Sequence, residues 1–178
     1  PQKDGYRRLL DMHELDDCGA IGTALVRAYA KKKDPRYREG IDLVAAHIGR
    51  KQPRLPDGTL CRPRPQPVSL WIDDAYMSIP FLAQMGAFTG EKAFFDDAAR
   101  QVTGMSARLF HEDAGLYDHS WFENALPTDP TFYWGRGAGW MLMSMAELLT
   151  VLPEDHPDRS KVLDQYRRAV KGVGAVQG

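Results

Sequence analysis

The 178-residue chain is 43% hydrophobic and carries 23 basic against 24 acidic residues, a formal net charge of −1. That is apolar content enough for a buried core, without the basic excess that a nucleic-acid surface needs. No run of about eighteen uninterrupted apolar residues occurs, so no membrane-spanning helix is expected. The opening Pro1-Gln2-Lys3-Asp4 is polar and carries no leader signature. Compartment stays open.

Six helices are expected in three pairs. The first covers about 15–29, and the Lys31-Lys32-Lys33 run at its end complements the helix dipole. A second follows over about 35–49, with Tyr37, Ile41, Val44, Ala45 and Ile48 on one stripe. A polar loop from Gln52 to Pro67 then holds five prolines and three arginines. The third helix is expected to begin near Ser69, and the fourth places Phe95, Ala98, Ala99, Val102 and Met105 on one face. After a second loop, from His111 to Tyr133, the fifth covers about 137–152. The sixth shows Val162, Leu163, Tyr166, Ala169, Val170 and Val173. No alternating strand pattern stands out.

Even-numbered helices have one apolar face, whereas odd-numbered ones are apolar nearly all round, as in Trp140-Met141-Leu142-Met143. Each pair therefore reads as an inner, enclosed helix and an outer one. The odd helices open near Asp16, Asp73 and Gly137, 57 and 64 residues apart. Recurring helical hairpins with long loops on one face indicate an α-solenoid or a closed α/α toroid, with binding residues gathered on that face. Three hairpins do not close a ring. Residues 1–178 are thus expected to be a partial domain, an (α/α)6 barrel with about three of its six hairpins. Apolar flanks left uncovered would be open to self-association.

Chemically unusual residues collect where the odd helices begin: His13-Glu14-Leu15-Asp16-Asp17-Cys18-Gly19, Trp71-Ile72-Asp73-Asp74-Ala75-Tyr76-Met77, and Trp134-Gly135-Arg136-Gly137-Ala138-Gly139-Trp140. One Asp pair alone would be read as helix capping. Two such pairs with a Trp/Arg/Trp cluster point to a site instead. Paired carboxylates suit general-acid work, because the charge of one helps the other keep its proton. Glycines around Arg136 leave room for backbone and guanidinium to approach a ligand. The run lacks the preceding strand and glycine spacing of a dinucleotide site. Aromatic platforms, carboxylates and an arginine describe a sugar site, with the arginine on an acidic sugar's carboxylate. Cys18 and Cys61 form no CxxC and have no histidine at metal spacing, so no metal or cofactor is expected. One bridge and two free thiols both stay open.

Three motifs, in order, resemble the unsaturated rhamnogalacturonyl hydrolases of glycoside hydrolase family 105, related to the unsaturated glucuronyl hydrolases of family 88. They run from Gly58-Thr59-Leu60 through Trp71-Ile72-Asp73-Asp74-Ala75-Tyr76-Met77, then Gly115-Leu116-Tyr117-Asp118-His119-Ser120-Trp121, then Trp134 to Trp140. The resemblance implies an (α/α)6 barrel that removes the 4,5-unsaturated uronic acid from lyase-generated oligosaccharides by hydrating its vinyl ether bond. It puts the acid/base carboxyl on Asp73 and the second carboxylate on Asp17, with Asp16 as fallback. His119, Trp134, Arg136 and Trp140 fall on substrate-binding positions. Many members carry a histidine in the loop before the acid helix. This chain has Cys61, Arg62 and Arg64 there, and Arg62 is taken as the substrate contact. Asp74 is expected to act only through local charge or capping. Two alternatives differ in class: an inverting glycosidase on saturated glycans with Asp73 and Asp17 as acid and base, and a non-catalytic helical-repeat sugar-binding module.

Overall fold

Asp34-Pro35 starts a helix for two local reasons. The Asp34 carboxylate accepts from the Arg36 backbone N–H at 3.0 Å, and proline at the first helical position has no N–H to leave unpaired. The computed structural model describes residues 12–64, 68–126 and 129–177. The prolines at 65 and 67 and the opening residues lie outside these. Within them a 3₁₀ turn, Leu15–Asp17, leads into α1 (Gly19–Lys31), and α2 (Pro35–Ala46) runs on into a π turn, His47–Lys51. Next come β1 (Ser69–Trp71), a four-residue α3 (Asp73–Tyr76), α4 (Ile79–Thr89) and α5 (Lys92–Leu109). Strands β2 (Phe110–His111), β3 (Leu116–Tyr117) and β4 (Ser120–Phe122) precede α6 (Gly135–Val151) and α7 (Arg159–Val176).

Helices α1, α4 and α6 form an inner row with α4 in the middle, and α2, α5 and α7 back them from outside. These are three hairpins of an (α/α) barrel, α1–α2, α4–α5 and α6–α7. The stripe expected on α5 is the one buried: Phe95, Ala98, Ala99, Val102, Met105 and Leu109 all face the core. Gly90 ends α4 in the left-handed region at φ 76°, which a side-chain-bearing residue rarely adopts.

Two expectations need correction. Inner helices are not equally enclosed: α4 buries Ile79, Pro80, Phe81, Leu82, Ala83, Met85 and Gly86, but α1 leaves Ile21 39% exposed and α6 leaves Met143 47% exposed. Apolar composition marked all three alike, whereas only the middle helix has inner neighbours on both sides. Nor does the third helix begin at Ser69. Residues Ser69–Trp71 pair antiparallel with Ser120–Phe122, Leu70 opposite Trp121, and β2 pairs with β3. The strand's partner lies some fifty residues away, where no local periodicity could show it. Pro80 explains the break that follows. It has no N–H to offer the Tyr76 carbonyl, so α3 stops and α4 begins as a separate helix.

The loop before β1 is tied down along its described length. Arg54 grips Asp97 of α5 with two N–H donors, each at 2.8 Å, and the buried Gln101 accepts from the Leu60 N–H at 2.8 Å. Gln52 donates to the Cys61 carbonyl at 2.7 Å. Cys18 and Cys61 are both buried free thiols, which settles the question left open by the sequence. Burial pushes the Cys18 thiol up to about 12, so it stays protonated.

Candidate active site

The site is built where α1, α3 and α6 begin. Asp73 is the first residue of α3, and its Oδ2 lies 3.3 Å from Nε2 of His119. A backbone tie brings them together: the Ile72 N–H donates to the His119 carbonyl at 3.0 Å, extending the β1–β4 pairing. Both side chains are partly open, 22% exposed each, so a ligand can reach them. Around the imidazole stand three rings: Trp134 at 4.6 Å, Trp71 edge-on at 5.0 Å and Phe132 at 5.9 Å between centroids.

Arg136 lies over Trp134, its guanidinium carbon 4.0 Å from the ring centre. It is exposed and forms no ion pair among the described residues. Trp140, one turn further along α6, packs against Tyr76 of α3 at 4.7 Å between centroids. Asp73, His119, Trp134 and Arg136 thus form one connected cluster, and Trp140 joins it through α3.

Asp17 and Arg62 are each engaged by neighbours, Asp17 by backbone N–H groups and Arg62 by carboxylates. The Asp17 carboxylate accepts the backbone N–H groups of His13 and Glu14, at 2.9 and 3.1 Å, both through Oδ2. Partial burial favours its neutral form, but those two donors outweigh it and hold its pKa below the ordinary carboxylate value. It is the third residue of the 3₁₀ turn leading into α1, reaching back to cap that turn. Asp16, by contrast, reaches Arg62 at 2.9 Å.

Arg62 spends four of its five N–H donors on carboxylates. Nε and Nη2 clamp Asp74 at 2.8 and 2.6 Å, Nη2 also reaches Asp16, and Nη1 reaches Glu14 at 3.2 Å. One N–H is left without a carboxylate among the described residues. Asp74 is fully buried, and of the local charge or capping expected of it the structure shows the charge pair with Arg62. Desolvation pushes its carboxyl up to about 6 against the pull of Arg62. A cleft of about 250 Å³ beside this clamp is lined by Glu14, Arg62, Arg64 and Trp71.

Asp118 escaped the sequence reading. Its Oδ1 accepts from the N–H groups of His119 and Phe132 at 2.8 and 2.9 Å, which fixes the strap carrying both rings. Its place beside His119 in the second motif was the available signal. Among the described residues no cluster of three His, Cys, Asp or Glu side chains could hold a metal ion, and no helix is long and apolar enough to cross a membrane.

Three helical hairpins whose inner-helix ends gather an Asp–His pair, tryptophan rings and an arginine without an ion pair among the described residues are part of an α/α barrel. The chain belongs to glycosyl hydrolase family 88, whose model matches residues 2–178. It is 28% identical over 143 residues to an unsaturated rhamnogalacturonyl hydrolase, YesR, of Bacillus subtilis (strain 168), covering 78% of this chain and 42% of that one. To the unsaturated 3S-rhamnoglycuronyl hydrolase of Alteromonas sp. (strain LOR) it is 26% identical over 109 residues, 60% of this chain and 26% of that one. A family 105 glycoside hydrolase structure from C. acetobutylicum ATCC 824 superposes with a TM-score of 0.85 at 25% identity, over 95% of this chain and 48% of that one. The chain therefore spans half or less of the length of these proteins.

Proposed function

We propose that the protein to which these three hairpins contribute removes a 4,5-unsaturated uronic acid from lyase-generated oligosaccharides, with Asp73 as the acid. In this reading Asp73 delivers its proton to C4 of the vinyl ether, and the oxygen of water bonds to C5 as its proton returns to the carboxylate. The resulting hemiketal opens and releases the neighbouring sugar. No carboxylate forms a bond to the anomeric carbon, unlike in retaining glycosidases.

One observation carries the reading: a half-open carboxyl, Asp73, sits 3.3 Å from an imidazole inside a ring of aromatic side chains. An acid for this chemistry needs both a polar partner and a face against which a sugar can stack. His119 supplies the first, and Trp134 with Trp71 supplies the second. Arg136, over the Trp134 ring with its N–H groups free of carboxylates among the described residues, suits the carboxylate of the unsaturated sugar. Trp140 packs against Tyr76 of the helix that carries Asp73. Asp17, whose carboxyl is held below the ordinary carboxylate value, takes the second carboxylate's part, its negative potential favouring the cationic character that develops on protonation of the double bond. The names of the relatives support this substrate class.

The reaction destroys a conjugated chromophore, so the full-length protein should bleach near-ultraviolet absorbance of unsaturated disaccharides from pectin or glycosaminoglycan. Absence of bleaching with both, alongside release of reducing sugar from saturated oligosaccharides, would replace this reading with the inverting one.

A further inference from the structure

Helix α3 is one turn long, cut off from α4 by Pro80, and therefore has no long helix to hold its orientation. Asp73 projects from it into the site and Asp74 into the interior. Neighbouring helical residues point about 100° apart, so fixing one fixes the heading of the other. What fixes Asp74 is Arg62, through two parallel N–H contacts at 2.8 and 2.6 Å, with Asp74 fully buried and the Arg62 side chain 12% exposed. Ser78 adds a bond from its hydroxyl to the Asp74 carbonyl at 2.6 Å. The same guanidinium then crosses to the other inner helix end, reaching Asp16 at 2.9 Å and Glu14 at 3.2 Å. Glu14 donates its backbone N–H to Asp17. The backbones meet here as well: a Cβ added at Gly19 of α1 would lie 1.7 Å from the Met77 carbonyl oxygen.

We infer that Arg62 is a positioning residue: clamped on Asp74 and braced by Asp16 and Glu14, its guanidinium sets Asp73 against His119 and locks the α3 turn to the start of α1. It thereby holds at fixed spacing the two segments that carry Asp73 and Asp17. This rests on the proposed reading of Asp73 as the acid. The inference departs from the plain expectation for an arginine in this loop, which is contact with an anionic substrate. Four spent donors and three carboxylates within 3.2 Å leave it little positive potential to offer an anion.

The test uses the full-length protein with Arg62→Lys, Asp74→Asn and the double variant Arg62→Met/Asp74→Asn. Lysine keeps the charge without the fork, and the double variant orphans no buried charge, so folding can be verified by circular dichroism in each. Two readouts are taken: kcat and KM on an unsaturated disaccharide, and the ring carbon and proton signals of His119 by NMR. Positioning predicts a fall in kcat of about 10- to 100-fold with KM nearly constant, since a displacement near 1 Å costs on that order. It also predicts a displaced His119 signal in all three variants. A raised KM at unchanged kcat in Arg62→Lys would make Arg62 a substrate contact and overturn the inference. Unmoved His119 signals in folded variants would overturn it whatever substrate the enzyme takes. Asp73→Asn, run alongside, separates the two claims: wild-type kcat in that variant would remove the proposed acid, while the His119 signals still decide the clamp.

Discussion

His119 Nε2 stands 3.3 Å from Asp73 Oδ2, although the two residues lie 46 positions apart in the sequence and on different elements. The contact depends on strand pairing next door, Trp71 opposite Ser120, and on the Ile72 N–H reaching the His119 carbonyl. Asp73→Asn keeps size and hydrogen-bonding capacity but cannot deliver a proton. Turnover should fall by about 10²- to 10⁴-fold, the usual span for loss of a general acid, while substrate binding survives. Rates paired with calorimetric binding to the variant check this. A variant that binds nothing would place Asp73 in substrate recognition instead.

The hairpin repeat, the inner and outer helices and the three motifs were legible because each leaves a local trace. A 3.6-residue stripe marked α5, and glycine spacing marked the start of α6. What could not be read was pairwise and distant. The partner of Ser69–Trp71 lies beyond three helices, and whether Arg62 faces a sugar or a buried carboxylate depends on where the chain brings Asp74 and Asp16. Asp17 shows the same limit: the sequence places its carboxylate at a helix start, but that its Oδ2 accepts the His13 and Glu14 N–H groups depends on how the chain turns there.

Asp74 offers a test in which two large effects oppose. Breaking a buried ion pair usually costs about 3–5 kcal/mol, because the surviving charge is stranded. Here Arg62 would keep Asp16 and Glu14, so little is stranded. Burial holds the Asp74 carboxyl at about 6 in the folded chain against an ordinary 3.8. A raised folded value means that the group's contribution to stability is present below pH 3.8 and lost as pH rises through 6. Asp74→Asn should therefore match or exceed the wild-type melting temperature at pH 7, with that advantage shrinking towards pH 4. A drop of several kcal/mol at pH 7 would show that the attraction to Arg62 wins.

Gly19 is a packing constraint rather than a conformational one. The 1.7 Å approach of an added Cβ is to the Met77 backbone carbonyl, which cannot swing aside as a side-chain tip would. Gly19→Ala should cost about 1–3 kcal/mol or more and displace α3 from α1. Chemical denaturation measures the cost, and an unchanged midpoint would mean that the two segments separate freely.

Arg136 can be separated from Arg62 by the same conservative change. It rests on Trp134 without a carboxylate partner among the described residues, so Arg136→Lys strands nothing and should leave the melting temperature within about 1 °C. What lysine loses is the planar two-point grip and the stacking, and a charge-assisted contact is worth about 1.5–3 kcal/mol. That converts to a loss of about 10-fold or more in kcat/KM on a uronate-bearing substrate. Equal loss of stability and activity would make Arg136 structural.

The 178 residues by themselves should be a poor enzyme and a sticky protein. Ile21 on α1 and Met143 on α6, the two end helices of the inner row, are 39% and 47% exposed. In the middle of the row, α4 shows what an enclosed inner helix looks like, with seven successive or near-successive positions buried. The solved family 105 structure is about twice as long as the stretch it shares with this chain. Exposed apolar helix faces associate when nothing covers them. Light scattering on the isolated 178-residue chain should show mass rising with concentration, and bleaching of unsaturated disaccharides should be weak or absent. A monodisperse, fully active monomer of this length would mean that three hairpins suffice to build the cavity, and that the missing wall is not part of the site.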